Sequence, residues 1–155
     1  MASFKEVQTF LANHGIRVLE FDVKTPTAES AAVAVGCSPA EIAKSVLLLV
    51  GGVPVMVVTS GDMRVNSSRL KKVTGLSGKV KLPNADQVVQ YTGYAPGGVS
   101  PFLLPVELLV YLDRSLRRFE VIYPAAGNDH SAVPIACQRL DQLTRGIWAD
   151  LSVLF

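Results

Sequence analysis

Three short segments of this 155-residue chain combine residue types that could carry out chemistry. The first contains Lys44, which stands just before the apolar run at 46–50. The second is the loop 93–102, which holds three glycines and two prolines in ten residues. The third is the turn 127–130, with the sequence Gly-Asn-Asp-His. Each segment has a chemical interpretation and a purely structural one.

The glycine-rich loop 93–102 could bind an anion or a polarised carbonyl. Glycine adopts positive φ at no steric cost and lets the backbone approach a ligand closely. Successive backbone amides in such a loop form an anion-binding concavity. The segment is therefore a candidate oxyanion hole, or a cradle for a carbonyl or phosphate group. The structural alternative is a tight connection between a helix and a strand.

Lys44 is a candidate cation for holding or activating a substrate. Its neighbours Ile42, Ala43 and Val46 are apolar, so its ammonium group could be partly desolvated. Ser38-Pro39 is typical of a helix start, and the sequence predicts Lys44 where this short helix passes into a strand. The alternative is an exposed lysine that the helix dipole favours at a C-terminal end.

The turn at 127–130 could supply acid–base groups. Asp129 and His130 could transfer a proton or orient a water molecule. Asn and Asp are equally typical of a turn between two strands, which is the structural alternative.

Other catalytic and metal-binding motifs are absent from the sequence. It contains no GxSxG, HExxH, Walker A or dinucleotide-binding pattern. Two cysteines, Cys37 and Cys137, are too few for a disulfide scaffold and lack zinc-site spacing. The two histidines, His14 and His130, are far apart in the chain. We expect neither a metal ion nor a cofactor.

The composition predicts one domain built around a buried sheet. Apolar residues make up 49% of the chain, charged residues 18%, and the mean hydropathy is +0.33. The predicted helices lie at 3–13, 27–36, 66–75, 84–91 and 140–143, with a short one after Ser38. The predicted strands lie at 17–23, 46–50, 53–59, 79–82, 107–112, 120–123 and 132–136, followed by an apolar tail at 148–155. The fold class is α/β in the broad sense (α+β), with a mixed β-sheet and short surrounding helices.

The lengths of the apolar runs and the net charge bear on where this domain is located and what it can bind. The apolar runs are far shorter than a membrane helix needs, and no signal peptide is evident, so we expect a cytoplasmic protein. The net charge of +2 permits a nucleic-acid partner without requiring one. Any RNA contact must then be local and dependent on shape.

Three segments taken together resemble a known family. They are Ala-Lys-Ser-Val-Leu-Leu at 43–48, Thr-Gly-Tyr-Ala-Pro-Gly-Gly-Val-Ser-Pro-Phe at 92–102, and Ala-Gly-Asn-Asp-His at 126–130. The chain resembles the YbaK family of aminoacyl-tRNA deacylases, which is related to the editing domain of bacterial prolyl-tRNA synthetases. The resemblance covers nearly the whole chain, and the loop at 92–102 is its most specific part.

The resemblance implies one editing domain over residues 1–155 that hydrolyses the ester of mischarged tRNA in trans, with Ala-, Cys-, Ser- or Thr-tRNA as the substrate type. It implies as catalytic residues Lys44, which holds the tRNA 3′ end and supports catalysis, and Gly97 and Gly98, whose amides approach the ester carbonyl. The substrate-binding residues that it implies are Gly93, Tyr94, Pro96, Ser100, Gly127, Asp129 and His130. The expected partners are the tRNA acceptor end and an aminoacyl-tRNA synthetase, without a membrane or DNA.

The turn at 127–130 departs from the family's patterns. Some relatives have Gly-x-x-x-His where this chain has Gly-x-x-His, and others carry a basic Gly-x-Arg-Gly-like turn followed by Asp. This departure bears on which amino acid the protein removes more than on the hydrolysis of the ester itself. Two other functions stay open: a non-catalytic member of the fold that binds tRNA or a synthetase, and a hydrolase of small esters.

Overall fold

A computed structural model describes residues 2–155. The helices are α1 (Phe4–Ala12), α2 (Ala28–Val35), α3 (Ser67–Thr74), α4 (Ala85–Thr92) and α5 (Leu140–Thr144). The strands are β1 (Leu19–Glu20), β2 (Ile42–Val50), β3 (Val53–Ser60), β4 (Met63–Val65), β5 (Val80–Lys81), β6 (Leu109–Asp113), β7 (Val121–Pro124), β8 (Ser131–Ala132), β9 (Ile135–Ala136), β10 (Ile147–Ala149) and β11 (Ser152–Leu154). The predicted class, an α+β domain with a mixed sheet and short helices, is confirmed.

A seven-stranded mixed sheet forms the centre of the molecule. Its strand order is β10-β6-β3-β2-β7-β9, and β5 pairs with the far end of β2. The β2–β3 hairpin is antiparallel, whereas β2 with β7, β3 with β6 and β6 with β10 are parallel. Two small sheets, β1 with β8 and β4 with β11, lie beside it.

The central hairpin is buried on both faces, as its continuous apolar runs predict. Alternate residues of a strand point to opposite faces of the sheet. Leu47 accordingly packs into the larger of two apolar clusters, while Leu48 and Val50 pack into the smaller one. Val7 and Leu11 of α1 complete the larger cluster and are fully buried.

Local capping patterns fix the helix starts that the sequence predicts. Ser3 and Glu6 form a reciprocal capping box at α1, and Asn84 with Gln87 does the same at α4. The glycines after α2, α3 and α4 adopt left-handed conformations that end these helices.

The structure corrects the prediction for the segment that contains Lys44. The helix after Ser38 is a single 3-10 turn, Pro39–Glu41, and β2 begins at Ile42. Lys44 is therefore a strand residue opposite Thr59 rather than a helix-terminal one. The hydrogen-bonded ladder with β3 continues to Ser60, and this pairing outweighs the local helix signal.

Four other predicted boundaries also change. The strand predicted at 17–23 is only Leu19–Glu20, the strand at 107–112 begins at Leu109, and the strand at 120–123 begins at Val121. The segment 132–136 divides into β8 and β9, because they pair with different partners, β1 and β7. The apolar tail packs on its own domain: β10 extends the main sheet and β11 pairs with β4.

Candidate active site

A crevice opens where two parallel strands diverge. β2 and β7 pair only at Ile42–Ala43 with Tyr123–Pro124. Beyond this point β7 has ended, so Lys44 and Ser45 keep their pairing with β3 on one side and line a cavity of about 260 Å³ on the other.

The crevice brings together residues that are distant in the chain. Lys44 of β2 and Gly97 of the glycine-rich loop both line it, and Asn128 of the 127–130 turn does so as well. The start of α2 closes another side. Five alanines contribute to the walls: Ala28, Ala31, Ala43, Ala125 and Ala132. The space is small, and its walls combine these alanines with polar side chains and with the cation Lys44.

Lys44 is half-buried and has no polar partner of its own. Burial lowers the pKa of its ammonium group below the ordinary lysine value, while the charges of Glu29 and Asp62 oppose this shift. Within residues 2–155, its Nζ makes no hydrogen bond and no salt bridge; it lies 4.4 Å from the centre of the Phe155 ring. The ammonium group is thus placed to bind an anionic or polar group of a ligand.

The glycine-rich loop is anchored at both ends by Tyr94. The Tyr94 side chain is buried, and its hydroxyl donates to the carbonyl oxygen of Phe102. Ser100 is also buried, and its Oγ accepts from the Phe102 N–H at 3.3 Å. These contacts shape the loop from inside the core, so the structure places Tyr94 and Ser100 behind the crevice surface.

The two central glycines of the loop have different surroundings. Gly97 is exposed, has a φ of +87° and faces open space, and its N–H makes no hydrogen bond within residues 2–155. Gly98 is buried, and its N–H donates to Ala95 O at 3.1 Å. Of the two amides proposed as oxyanion donors, only that of Gly97 is free for a ligand. Pro96 is exposed next to it, whereas Gly93 ends α4 away from the crevice.

The 127–130 turn packs directly against the glycine-rich loop. A Cβ on Gly127 would lie 2.9 Å from Cε1 of Tyr94, and the φ of Gly127 is +107°. Asn128 Oδ1 accepts from the His130 N–H at 3.1 Å, which closes the turn. Asn128 Nδ2 also lies 3.5 Å from His130 Nε2, and Asn128 is among the residues that line the crevice.

Asp129 and His130 form a pair outside the crevice lining. His130 Nδ1 lies 2.9 Å from Asp129 Oδ1, and this hydrogen bond is the main cause that lowers the pKa of Asp129. The backbone carbonyl of Asp129 accepts from Thr25 N at 2.7 Å, and that of His130 accepts from Phe21 N at 2.8 Å. The backbone carbonyls of Asp129 and His130 thus hold the segment before α2 in place.

Sequence reasoning missed most of the residues that line the crevice, among them Ser45, Tyr123 and Asn128. Ser45 Oγ is buried and has no hydrogen-bond partner within residues 2–155. Asn128 could have been found from the turn that contains it. Ser45 and Tyr123 gave no signal, because their role depends on where β2 and β7 separate.

Other features carry less chemistry. Burial, and after it the charge of Glu41, raises the pKa of Cys37, so its thiol is not activated. A larger groove of about 530 Å³ near Arg117 and Trp148 contains none of the predicted site residues. Among residues 2–155, no three His, Cys, Asp or Glu side chains cluster as metal ligands would. No helix in this part of the chain is long and apolar enough to cross a bilayer.

Comparison with known proteins assigns this fold and crevice to a family. The model of the aminoacyl-tRNA editing domain matches residues 22–143, and the chain belongs to this YbaK-like family. The match includes Lys44, the glycine-rich loop and the 127–130 turn.

Individual relatives agree with the family. The chain is 33% identical over 153 residues to the uncharacterised protein YwhH of Bacillus subtilis, covering 96% of each protein. It is 28% identical to EbsC of Enterococcus faecalis, named as a candidate Cys-tRNA(Pro)/Cys-tRNA(Cys) deacylase, covering 81% of this chain and 77% of that one. The crystal structure of a candidate trans-editing enzyme for prolyl-tRNA synthetase superposes with a TM-score of 0.85 at 30% identity, covering 99% and 98%.

Proposed function

We propose that this protein hydrolyses the ester bond of mischarged aminoacyl-tRNA in trans, as one editing domain formed by residues 1–155. One observation carries the proposal: Lys44 and the free amide of Gly97 line the same small, alanine-walled crevice. α1 and the C-terminal strands lie outside the matched family region, yet both pack on the same core. Association with a synthetase and the cellular compartment stay predictions.

The reaction needs little beyond orientation and charge stabilisation. An aminoacyl ester is already activated, so water can attack its carbonyl carbon when both are held in line. The new carbon–oxygen bond converts the carbonyl oxygen into an oxyanion, to which the Gly97 N–H would donate. The bond to the ribose oxygen then breaks, and that oxygen leaves with a proton that originates from the water. The free ribose hydroxyl of the terminal adenosine would help to position the water.

Lys44 would bind the tRNA end rather than take part in proton transfer. Its ammonium group is a point charge suited to the terminal phosphate or ribose. Because it lacks a protein partner within the described residues, binding requires no ion pair to be broken. The modest net charge of +2 agrees with a protein that would contact only the acceptor end of the tRNA.

The size of the crevice favours a small amino acid. Alanine side chains form much of its wall, and about 260 Å³ must hold the aminoacyl group with part of the ribose. Alanine, cysteine, serine and threonine fit this space better than larger residues.

A deacylation panel tests the proposal. The purified protein is mixed with tRNAs charged with Ala, Cys, Ser, Thr or Pro, and release of the amino acid is followed beside a Lys44→Ala variant. We expect release of one or two small amino acids and its loss in the variant. Retained tRNA binding without release would favour a non-catalytic binding protein. Cleavage of small esters but of no aminoacyl-tRNA would favour a general esterase.

A further inference from the structure

The Phe155 ring covers the ammonium group of Lys44. Its centre lies 4.4 Å from Lys44 Nζ, within the range of a cation–π interaction. Phe155 follows β11, and its N–H donates to Asp62 O at 3.4 Å. The ring therefore reaches the crevice margin from a segment far from Lys44 in the chain.

The fold anchors the segment that precedes this ring and leaves the ring itself exposed. β11 pairs with β4, and Leu151 before it is fully buried. Asp113 binds this segment through Leu151 N at 2.8 Å and through Ser152 Oγ. Phe155 itself is 79% exposed, so core packing does not account for it. An exposed aromatic ring beside a site cation offers a face on which a nucleic-acid base can stack.

We infer that Phe155 is a substrate-positioning residue that stacks on the terminal adenine of the tRNA while Lys44 binds the adjoining ribose or phosphate. This inference rests on the proposed function. Lys44 occupies one face of the ring, and the exposure of the ring leaves another face available. The ligand offers both matching groups, because its ester is joined to an adenosine. Stacking would fix the ribose, and hence the ester, relative to the Gly97 amide.

Binding of two stable analogues tests the inference. Both are RNA acceptor hairpins that end in a 3′-amide-linked aminoacyl group; one carries the terminal adenine and the other an abasic ribose. We expect the wild-type protein to bind the adenine-containing analogue about 5- to 100-fold more tightly. Phe155→Ala should abolish this preference, whereas Phe155→Trp should retain it. Leu154→Ala is the matched control, because Leu154 precedes Phe155 directly in the chain and is also exposed.

The outcomes separate this inference from the proposed function. A wild-type protein that deacylates tRNA but binds both analogues equally would overturn the stacking role alone. Equal weakening of both analogues by Phe155→Ala would also overturn it, since the ring would then act only on Lys44. Faster deacylation by Phe155→Ala would identify the ring as an obstruction instead. A wild-type protein that neither deacylates nor binds any tRNA end would overturn both proposals.

Discussion

Gly98 packs backbone against backbone on Asn128. A Cβ built on Gly98 would lie 2.9 Å from both Cα and the carbonyl carbon of Asn128. The glycine-rich loop and the 127–130 turn thus meet where no side chain fits between them. Since Gly97 and Asn128 both line the crevice, this contact sets the width between the two loops.

Gly98→Ala should separate the two loops and impair deacylation. The neighbouring atoms are backbone and cannot rotate away, so we expect a loss of about 1–3 kcal/mol in the free energy of unfolding. We also expect kcat to fall about 10-fold or more, because displaced loops misplace the ester. Ala95→Ser is the control, since it adds one heavy atom to an exposed position of the same loop. Wild-type kinetics in Gly98→Ala would show that the contact is unimportant.

Gly97→Val should test the free amide of the glycine-rich loop. Valine strains a φ of +87° and places a branched side chain at the crevice. We expect deacylation to fall about 100-fold, with a stability loss of about 1–2 kcal/mol. Gly75→Val is the matched control, because Gly75 has a φ of +73°, open surroundings and a place at the end of α3. If both variants retain activity equally, Gly97 has no role at the oxyanion.

Lys44→Met should remove activity without weakening the fold. We expect deacylation to fall about 100-fold or more, because no other cation lines the crevice within residues 2–155. Burial lowers the pKa of Lys44, so its charge opposes folding at every pH below that lowered value. Methionine removes this cost, and thermal denaturation should show an unchanged or higher Tm. Lys72→Met on α3 is the control, and a clearly lower Tm for Lys44→Met alone would contradict this account.

The same pKa shift predicts a pH dependence of activity. The ammonium form of Lys44 binds the substrate, and its lowered pKa means that this form is lost at a lower pH than for an ordinary lysine. The enzyme-dependent rate, after subtraction of uncatalysed hydrolysis, should therefore decrease with rising pH, with its midpoint below the ordinary lysine pKa of about 10.4. A rate that keeps rising through this range would exclude a charged Lys44 in the mechanism.

Asn128 should influence substrate choice more than His130 does. Asn128 lines the crevice, whereas His130 pairs with Asp129 outside it. In the deacylation panel, Asn128→Ala should lower the rates about 10-fold and change their order among amino acids. Asn128→Asp keeps the oxygen that accepts from His130 N–H. This variant therefore distinguishes the role of Asn128 in closing the turn from its role in the pocket. His130→Ala should change rates less than about threefold, and a larger effect would reverse the assignment.

Asp113→Asn should weaken the segment that carries Phe155. Burial raises the pKa of Asp113, but hydrogen bonds from Ser115, Ser152 and Leu151 outweigh it and leave the pKa lowered. The stability from this carboxylate is present at neutral pH and is lost as the pH falls below about 4. We expect the variant to lose about 2–4 kcal/mol at pH 7, measured by urea denaturation. The difference from wild type should shrink in acid.

The control for Asp113→Asn is Asp150→Asn. Asp150 is largely exposed and pairs with Arg69 at the surface, so its loss should cost less than about 0.5 kcal/mol. Equal losses in the free energy of unfolding would mean that the buried hydrogen bonds of Asp113 stabilise the fold no more than a surface ion pair does.

The incorrect prediction that Lys44 stands at a helix end shows the limit of predictions made from neighbouring residues in the sequence. The Ser38-Pro39 signal does start a helical turn, in which Glu41 Oε1 accepts from Ser38 N–H at 3.0 Å, yet it supports only one turn. From Ile42 onward the backbone pairs with β3, and a ladder that extends to Val50 outweighs a local helix signal. The packing of the apolar tail likewise depends on distant segments, because it pairs with β6 and with β4.

The sequence by itself determined the helix starts, the buried hairpin and the family resemblance. It also singled out Lys44 and the glycine-rich loop as candidate functional segments. Those features depend on residues within a few positions of one another, through capping bonds and alternating apolar side chains. Only the tertiary structure decided that Asn128 rather than His130 lines the crevice, that the Gly97 amide is the free one, and that Phe155 covers Lys44. These relationships arise where β2 and β7 diverge and where β11 is anchored by Asp113. Such contacts between distant segments leave no pattern in the local sequence.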